Sequence, residues 1–328
     1  MHPFSSLRSL SAGLLLGLAA TCATAQSFPS RMVTLTVPYP AGGGADHVAR
    51  TIQGDLAKLL GQTLIVDNVG GVGGALGIQK VLQAPADGHT VLVASPMDLI
   101  LTPLSIQAAK HKPEDMRLVA VMVSTSMVMV ARKDLSAGTV DELIAMAKKP
   151  GFKELSYGSV GAGSLYHLVA ESFAQQTGVQ MLHVPYKGMA PLLADLMGGQ
   201  IDIAFVPMAG GVPALIKDGK VKAYGLAANK PHPLFPSLPL LTSSKVLTKF
   251  EFGLWAGMAV PKKTPDAAAE RLNQAIYQAL QNPEIRKSYE VTGNVIEAPR
   301  SIAELDRHYA TEIARYQGIA KAVNVQPQ

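Results

Sequence analysis

The feature that most constrains this chain is a repeated alternation of short β-rich runs, glycine-bearing loops and amphipathic helical segments. Such an alternation builds parallel sheets covered by helices. Met32–Val37 is a β-rich run closed by Pro38-Tyr39-Pro40 and Gly42-Gly43-Gly44. Val48, Ile52, Leu56, Leu59 and Leu60 then fall on one helical face, and Gly61 supplies the stop. A second glycine-rich turn runs from Asn68 to Gly74, and a helix is expected over Ala75–Gln83. Thr90–Ala94 is apolar without alternation, which marks a strand buried on both faces. The longer β-rich run Val119–Ala131 reads as a strand crossing between lobes, and the run from Phe252 to Val260 reads as a strand crossing back. Thr139 with Glu142, and Ser301 with Glu304, are capping boxes that open helices.

At 328 residues the chain exceeds the roughly 250–300 at which one hydrophobic core usually divides, so two lobes are expected. Hydrophobic residues make up 48% and charged residues 16%, a balance that excludes wholesale disorder. The net charge is +5, but Lys and Arg are scattered, so no nucleic-acid partner is expected. Residues 1–25 carry the pattern of an export signal. Arg8 precedes an apolar run from Leu10 to Ala20, and Ala23-Thr24-Ala25 supplies a cleavage site ahead of Gln26. Lipoprotein processing at Cys22 is the competing reading, disfavoured by Thr21 just before it. Cys22 is the only cysteine, so the mature chain is expected to carry neither disulfide nor thiolate chemistry.

Catalytic and metal motifs fail one by one. The chain holds no H-E-x-x-H, C-x-x-C or EF-hand pattern, and no G-x-S-x-G around Ser159 or Ser164. The eight histidines are dispersed, and His47, His167 and His183 near the loops read more simply as surface or capping residues. No nucleophile–base pair is evident, so no catalytic residue, cofactor or metal is expected. What the loops offer is backbone. Pro38 through Asp46 and Gly158 through Ser164 each end a strand and open a helix. Glycine lets amides approach a ligand closely, and a helix N-terminus presents unpaired N–H groups and a positive dipole end. Either loop alone is equally readable as a tight turn. Together, one in each half, they suit a carboxylate or phosphate. His183-Val184-Pro185-Tyr186-Lys187-Gly188 is a third strand-to-helix corner, where Lys187 steers an anion or is simply an exposed turn lysine.

These segments, in this order, resemble the extracytoplasmic solute receptors of tripartite tricarboxylate transporters, the Bug-type family. The resemblance rests on Val37 through Gly44, Ala84-Pro85-Ala86-Asp87-Gly88-His89-Thr90, Tyr157-Gly158-Ser159 with Gly161, Gly163 and Ser164, His183 through Gly188, Gly198-Gly199-Gln200-Ile201-Asp202, and the strand around Trp255. It covers nearly the whole chain after the signal segment. It implies an α/β type II periplasmic-binding-protein fold, with two parallel-sheet lobes joined by two crossing strands. Lobe I would comprise residues 26–125 and 256–328, and lobe II residues 126–255. It further implies a periplasmic monomer that binds a small carboxylate between the lobes and delivers it to a membrane permease. A receptor subunit for a membrane signalling kinase is the alternative that the sequence leaves open.

Carried over position by position, the resemblance implies lobe I contacts from Tyr39, Pro40, Ala41, Gly42, Gly43, Gly44 and Asp46. Lobe II contacts would come from Ser159, Ala162, Gly163, Ser164, Pro185, Tyr186 and Lys187. The chain departs from the family pattern at Ala45, at Val69-Gly70, at Ser95-Pro96-Met97 and at Val206-Pro207-Met208, where polar residues are commoner. Ser95, Met97, Val206 and Met208 are therefore expected to line the ligand pocket. The apolar character of Met97, Val206 and Met208 would favour a carboxylate with an aromatic or aliphatic body over a zwitterionic amino acid, unless the methionines face the core instead.

Overall fold

The computed structural model describes residues 28–323; the export segment 1–25, with Cys22, and Gln26 lie outside the described residues. The first lobe opens with β1 (Val33–Val37), α1 (Gly44–Leu60), β2 (Leu64–Asn68), α2 (Ala75–Gln83) and β3 (Thr90–Ala94). β2 and β3 flank β1 in parallel, with Val33 opposite Leu64 and Thr34 opposite Thr90. Val33, Leu35, Thr36 and Val37 are all fully buried, because helices cover both faces of the sheet. α1 buries Val48, Ile52, Leu56 and Leu60 and ends at Gly61, whose N–H returns to the carbonyls of Ala57 and Lys58. After β3, a π-helical turn over Met97–Leu101 runs into the short α3 (Thr102–Ser105).

The next strand, β4 (Met116–Arg132), has 17 residues and at about 3.3 Å per residue spans roughly 55 Å, too far for one lobe. Its first part pairs with β9 (Gly253–Pro261), which pairs in turn with β3. Its second part pairs with β7 (Ile203–Pro207) and β8 (Val221–Leu226). β5 (Leu155–Ser159) then links β7 in parallel to β6 (Met181–Pro185). The resulting order is β2-β1-β3-β9-β4-β7-β5-β6. β1 to β3 thus form one lobe's sheet and β5 to β7 the other's, with β4 common to both. This is the type II periplasmic-binding-protein architecture. Neither sheet is purely parallel. β4 leaves lobe I past the carboxyl ends of its strands and meets those of lobe II head-on, so it pairs antiparallel there, and β9 runs the opposite way to β4.

Lobe II adds α4 (Val140–Ala147), α5 (Leu165–Thr177), α6 (Met189–Met197) and α7 (Val212–Lys217). After β9 come α8 (Asp266–Ala279), α9 (Pro283–Glu290), β10 (Val295–Ile296) and α10 (Ile302–Ala322). α9, β10 and the turn into α3 are absent from the sequence reading. α4 stops at Ala147, short of Lys148-Lys149, and only half its expected capping box forms. Thr139 accepts the Glu142 N–H, but the Glu142 carboxylate takes the N–H of Gly138 instead. Ser301 and Glu304 form the full reciprocal box at the start of α10.

One apolar cluster lies between the lobe I sheet and α1, α8 and α9, and another lies beneath α6 and α7. The third crosses the lobes, with Leu99 and Leu101 joined to Leu165, Phe173 and Tyr316 of α10. At the crossover, Met127 N–H donates to Phe252 O, Phe252 N–H to Ala227 O and Ala227 N–H to Met127 O. α10 braces that point: Trp255 Nε1 donates to Glu312 at 3.0 Å, and the Tyr316 hydroxyl to Gly253 O at 2.8 Å. Among the described residues no helix is long and apolar enough to cross a membrane.

Candidate functional site

In an open α/β sheet ligands bind beyond the carboxyl ends of the strands. Here the carboxyl ends of β1 and β3 in lobe I are turned towards those of β5, β6 and β7 in lobe II. The loop after β1 carries Tyr39, half-buried, followed by Pro40, Ala41, Gly42, Gly43 and Gly44, all exposed. Its shape is set by Asp46, in the first turn of α1. The Asp46 carboxylate accepts from the Gly42 N–H at 2.9 Å, from Arg50 Nε at 2.9 Å and from Asn68 Nδ2 at 3.0 Å. The Arg50 hydrogen bond, reinforced by those of Gly42 and Asn68, pulls the Asp46 pKa down to about 2. Asp46 is therefore spent inside the protein, folding the loop back on α1. Gly42 sits at φ 85°, a conformation other residues rarely adopt. No side chain caps α1 at Gly43, so its first N–H groups lack the partner that Ser164 gives to α5.

The end of β3 is organised by Asp98, which the sequence reading missed. Asp98 is buried, and it accepts hydrogen bonds from the Ser95 N–H at 3.1 Å and the Ser95 hydroxyl at 2.6 Å. The Tyr39 hydroxyl lies 3.4 Å from it. Burial pushes the Asp98 pKa up to about 7, and burial with the nearby Asp98 raises the Tyr39 phenol well above its usual range. Ser95 and Tyr39 thus turn their polar atoms towards Asp98. The available signal was Ser95-Pro96-Met97-Asp98, a Ser-x-x-Asp capping pattern. Met97 is half-buried against the core shared by the lobes.

In lobe II the loop after β5 holds Ser159, Ala162, Gly163 and Ser164. Ser164 caps α5, and its hydroxyl donates to Gly161 O at 2.6 Å. Gly163 N–H donates to His167 Nδ1 at 3.2 Å, which places the ring proton of neutral His167 on Nε2. Ala162 is exposed at the tip. Ser159 is fully buried, 2.6 Å from His183 Nε2. This Ser–His pair was invisible in the sequence because its members are 24 positions apart on adjacent strands. His183 stacks on Tyr157 and His167, at 5.0 and 4.4 Å between ring centroids. Burial, with His167 beside it, lowers its pKa to about 4. The Ser159 hydroxyl faces protein on every side, so the pair orders the loop and presents no nucleophile to the cleft.

At the corner after β6, Pro185 and Lys187 are exposed, and the Tyr186 hydroxyl donates to Asp195 at 2.8 Å. The Tyr186 N–H donates to Ser159 O, tying this corner to the β5 loop. The expectation fails at the carboxyl end of β7. Val206 and Met208 are both fully buried, packed with Val128, Leu192 and Val212 in the lobe II core. They do not line the cleft: β7 is an interior strand, and these side chains meet the face covered by α6 and α7.

Beyond the shared core and the brace of α10, two contacts between the lobes flank the cleft. Gly163 packs on α3, where a Cβ on this residue would lie 2.3 Å from Ser105 Cβ. At the other edge, Gly210 N–H donates to Thr292 O at 2.9 Å, and His232 Nε2 to Gly293 O at 3.0 Å. His232 Nδ1 accepts the Leu234 N–H, which fixes that tautomer. Among the described residues no three His, Cys, Asp or Glu side chains converge as a metal site.

Comparison with known proteins agrees with this geometry. Residues 48–325 match the model of the tripartite tricarboxylate transporter family receptor. A curated relative, the UPF0065 protein in the tcbD-tcbE intergenic region of Pseudomonas sp. strain P51, is 31% identical over 94% of this chain and 92% of its own length. Among solved structures, R. palustris Rpa4515 with adipate superposes with TM-score 0.80 at 29% identity, covering 92% of this chain and 100% of that one. MatC (Rpa3494) from Rhodopseudomonas palustris with bound malate gives TM-score 0.76 at 28% identity, covering 89% and 99%. With loops, lobe topology and family model in agreement over most of its length, the chain belongs to the tripartite tricarboxylate transporter receptor family.

Proposed function

We propose that this chain is an exported, non-catalytic receptor that captures a small carboxylate between its lobes and delivers it to a tripartite tricarboxylate-type permease. Lobe I comprises residues 26–125 and 256–328, and lobe II residues 126–255. The carrying observation is that two glycine-rich strand-to-helix loops stand at the facing carboxyl ends of the two lobes' strands, and that Gly163 of one packs on Ser105 of the opposite lobe. Backbone amides at the uncapped N-terminus of α1 and at the exposed tip around Ala162 supply donors for a carboxylate. α6 adds another: Gly188 gives it no side-chain cap, and exposed Lys187 stands at its mouth. Two structural neighbours hold malate and adipate, which supports the ligand class. The contacts are therefore assigned to Tyr39–Gly44, Ala162–Ser164 and the Pro185–Lys187 corner. Ser95 and Asp46 shape the loops around them.

The test is mass spectrometry of any molecule released on denaturing the exported protein, followed by calorimetry with malate, adipate, citrate, benzoate and aspartate. A carboxylate that binds without turnover is the expected result. Binding of no carboxylate would overturn the reading, and turnover would make the protein an enzyme. N-terminal sequencing of the exported chain should begin at Gln26.

A further inference from the structure

The loop between β5 and α5 is held through its own amides. Gly161 N–H donates to the Ser159 hydroxyl at 3.1 Å, and Ser164 N–H to Gly161 O at 3.3 Å. Gly163 N–H donates to His167 Nδ1 at 3.2 Å. Between Gly161 and Ser164 that leaves the Ala162 N–H without a partner among the described residues, at the exposed tip. A carboxylate arriving there meets one free amide flanked by two tethered ones. Two of the three tethers come from the loop and the strand before it, whereas His167 reaches back from the first turn of α5. It holds the glycine that bears on lobe I, since Gly163 packs on Ser105. One imidazole nitrogen thus fixes both the setting of the free amide and an approach of the lobes.

The ring itself is held in place. It lies 4.4 Å from the His183 ring of β6 and 6.3 Å from that of Tyr157 of β5, on which it stacks. Its Nε2 stands 3.9 Å from Glu171, one turn on in α5, and Glu171 accepts from the Tyr157 hydroxyl. Glu171 is the charged group that acts on the ring. β6 brings neutral His183, β5 the un-ionised Tyr157 phenol, and α3 meets the loop through the uncharged Ser105. α10 reaches the far end of α5, where Gln175 donates to Ala322 O. Burial holds His167 below its usual pKa against the pull of Glu171, so at neutral pH Nδ1 carries a lone pair and accepts. The side chain keeps 19% of its surface exposed, which leaves it open to solvent protons. In acid Nδ1 becomes an N–H, and two donors then face each other where one hydrogen bond stood. We propose that His167 is a positioning residue of the carboxylate site, anchoring Gly163 through its unprotonated Nδ1, and that protonation of the ring releases Gly163, the Ala162 amide and the contact with Ser105 together. The proposal rests on the carboxylate-receptor reading above and adds to it a residue and a pH dependence.

Wild type, His167→Phe and His167→Asn separate anchoring from packing. His167→Phe keeps an aromatic ring against His183 and Tyr157 but has no acceptor. His167→Asn loses the ring, offers Oδ1 as an acceptor near the place of Nδ1, and does not titrate. The probes are malate, adipate, citrate and benzoate in calorimetry, and the one bound most tightly is followed from pH 7.5 to pH 5.0. At pH 7.5 His167→Phe should bind about tenfold more weakly, within the reach of one lost hydrogen bond, and His167→Asn should recover most of that loss. As pH falls, wild-type affinity should drop relative to His167→Asn, by about threefold or more at pH 5.0. The ratio of the two proteins cancels the ligand's own titration. A ratio that stays constant across the range would overturn the proposal, even where His167→Phe does not fold. So would wild-type affinity in His167→Phe at pH 7.5. Failure of the receptor reading looks different: wild type then binds none of the four probes, and the proposal falls with it.

Discussion

Gly163 and Ser105 meet across the cleft so closely that a Cβ on Gly163 would lie 2.3 Å from that of Ser105. Gly163 also holds φ 75°, where a β-branched residue is strained by about 1–3 kcal/mol. Gly163→Val should therefore block this approach of the lobes as well as strain its own loop. We predict that carboxylate affinity falls at least tenfold in calorimetry, while Lys187→Ala, at an exposed corner, weakens binding only mildly. The reverse ranking would show that side-chain charge, not backbone approach, captures the anion.

Asp46 should matter for stability before it matters for ligand. Its carboxylate serves Gly42, Arg50 and Asn68 at once. We predict that Asp46→Asn lowers stability by about 2 kcal/mol, the scale of a hydrogen bond to a charged group. Because the folded pKa is depressed to about 2, this contribution is full above the unfolded value near 4 and fades as pH falls through about 2. Urea unfolding of wild type and variant at pH 7 and pH 2.5 checks it. A difference that does not shrink in acid would refute the assignment.

Asp98 has the opposite sign. Burial raises its folded pKa to about 7, so between pH 4 and pH 7 the folded state binds more protons than the unfolded one. Its contribution to stability therefore falls as pH rises through that window and levels off above it. Asp98→Asn keeps an acceptor for Ser95 and removes the ionisation. The variant should gain on wild type steadily from pH 4 to pH 7 in thermal unfolding. Parallel curves would show that Asp98 stays ionised in the fold.

Met208 is a core residue, so its substitutions should act through folding. Met208→Ala should cost about 2–5 kcal/mol, as other large-to-small core changes do. Met208→Leu should leave both stability and carboxylate affinity close to wild type. A change in ligand ranking with Met208→Leu, at unchanged unfolding midpoint, would return this side chain to the cleft.

The sequence by itself determined the alternation of elements, α2 and β3 to the residue, and the loops that matter. These signals are local: apolar periodicity, caps and glycines act within one or two turns of chain. It also carried the family, because the motifs at Tyr39–Gly44, Ser159–Ser164 and His183–Gly188 keep their order. What it left undecided is which side chains in those loops are free. Asp46 looks like a ligand contact until Arg50 and Asn68 are seen to claim it. Ser159 and His183 become a pair only when β5 lies beside β6. Val206 stands near the end of an apolar strand and Met208 just past it, and only the packing of α6 and α7 puts them in the core. The tertiary structure decided these cases because burial and pairing depend on residues far apart in sequence, and no local pattern encodes which face of β7 the helices will cover.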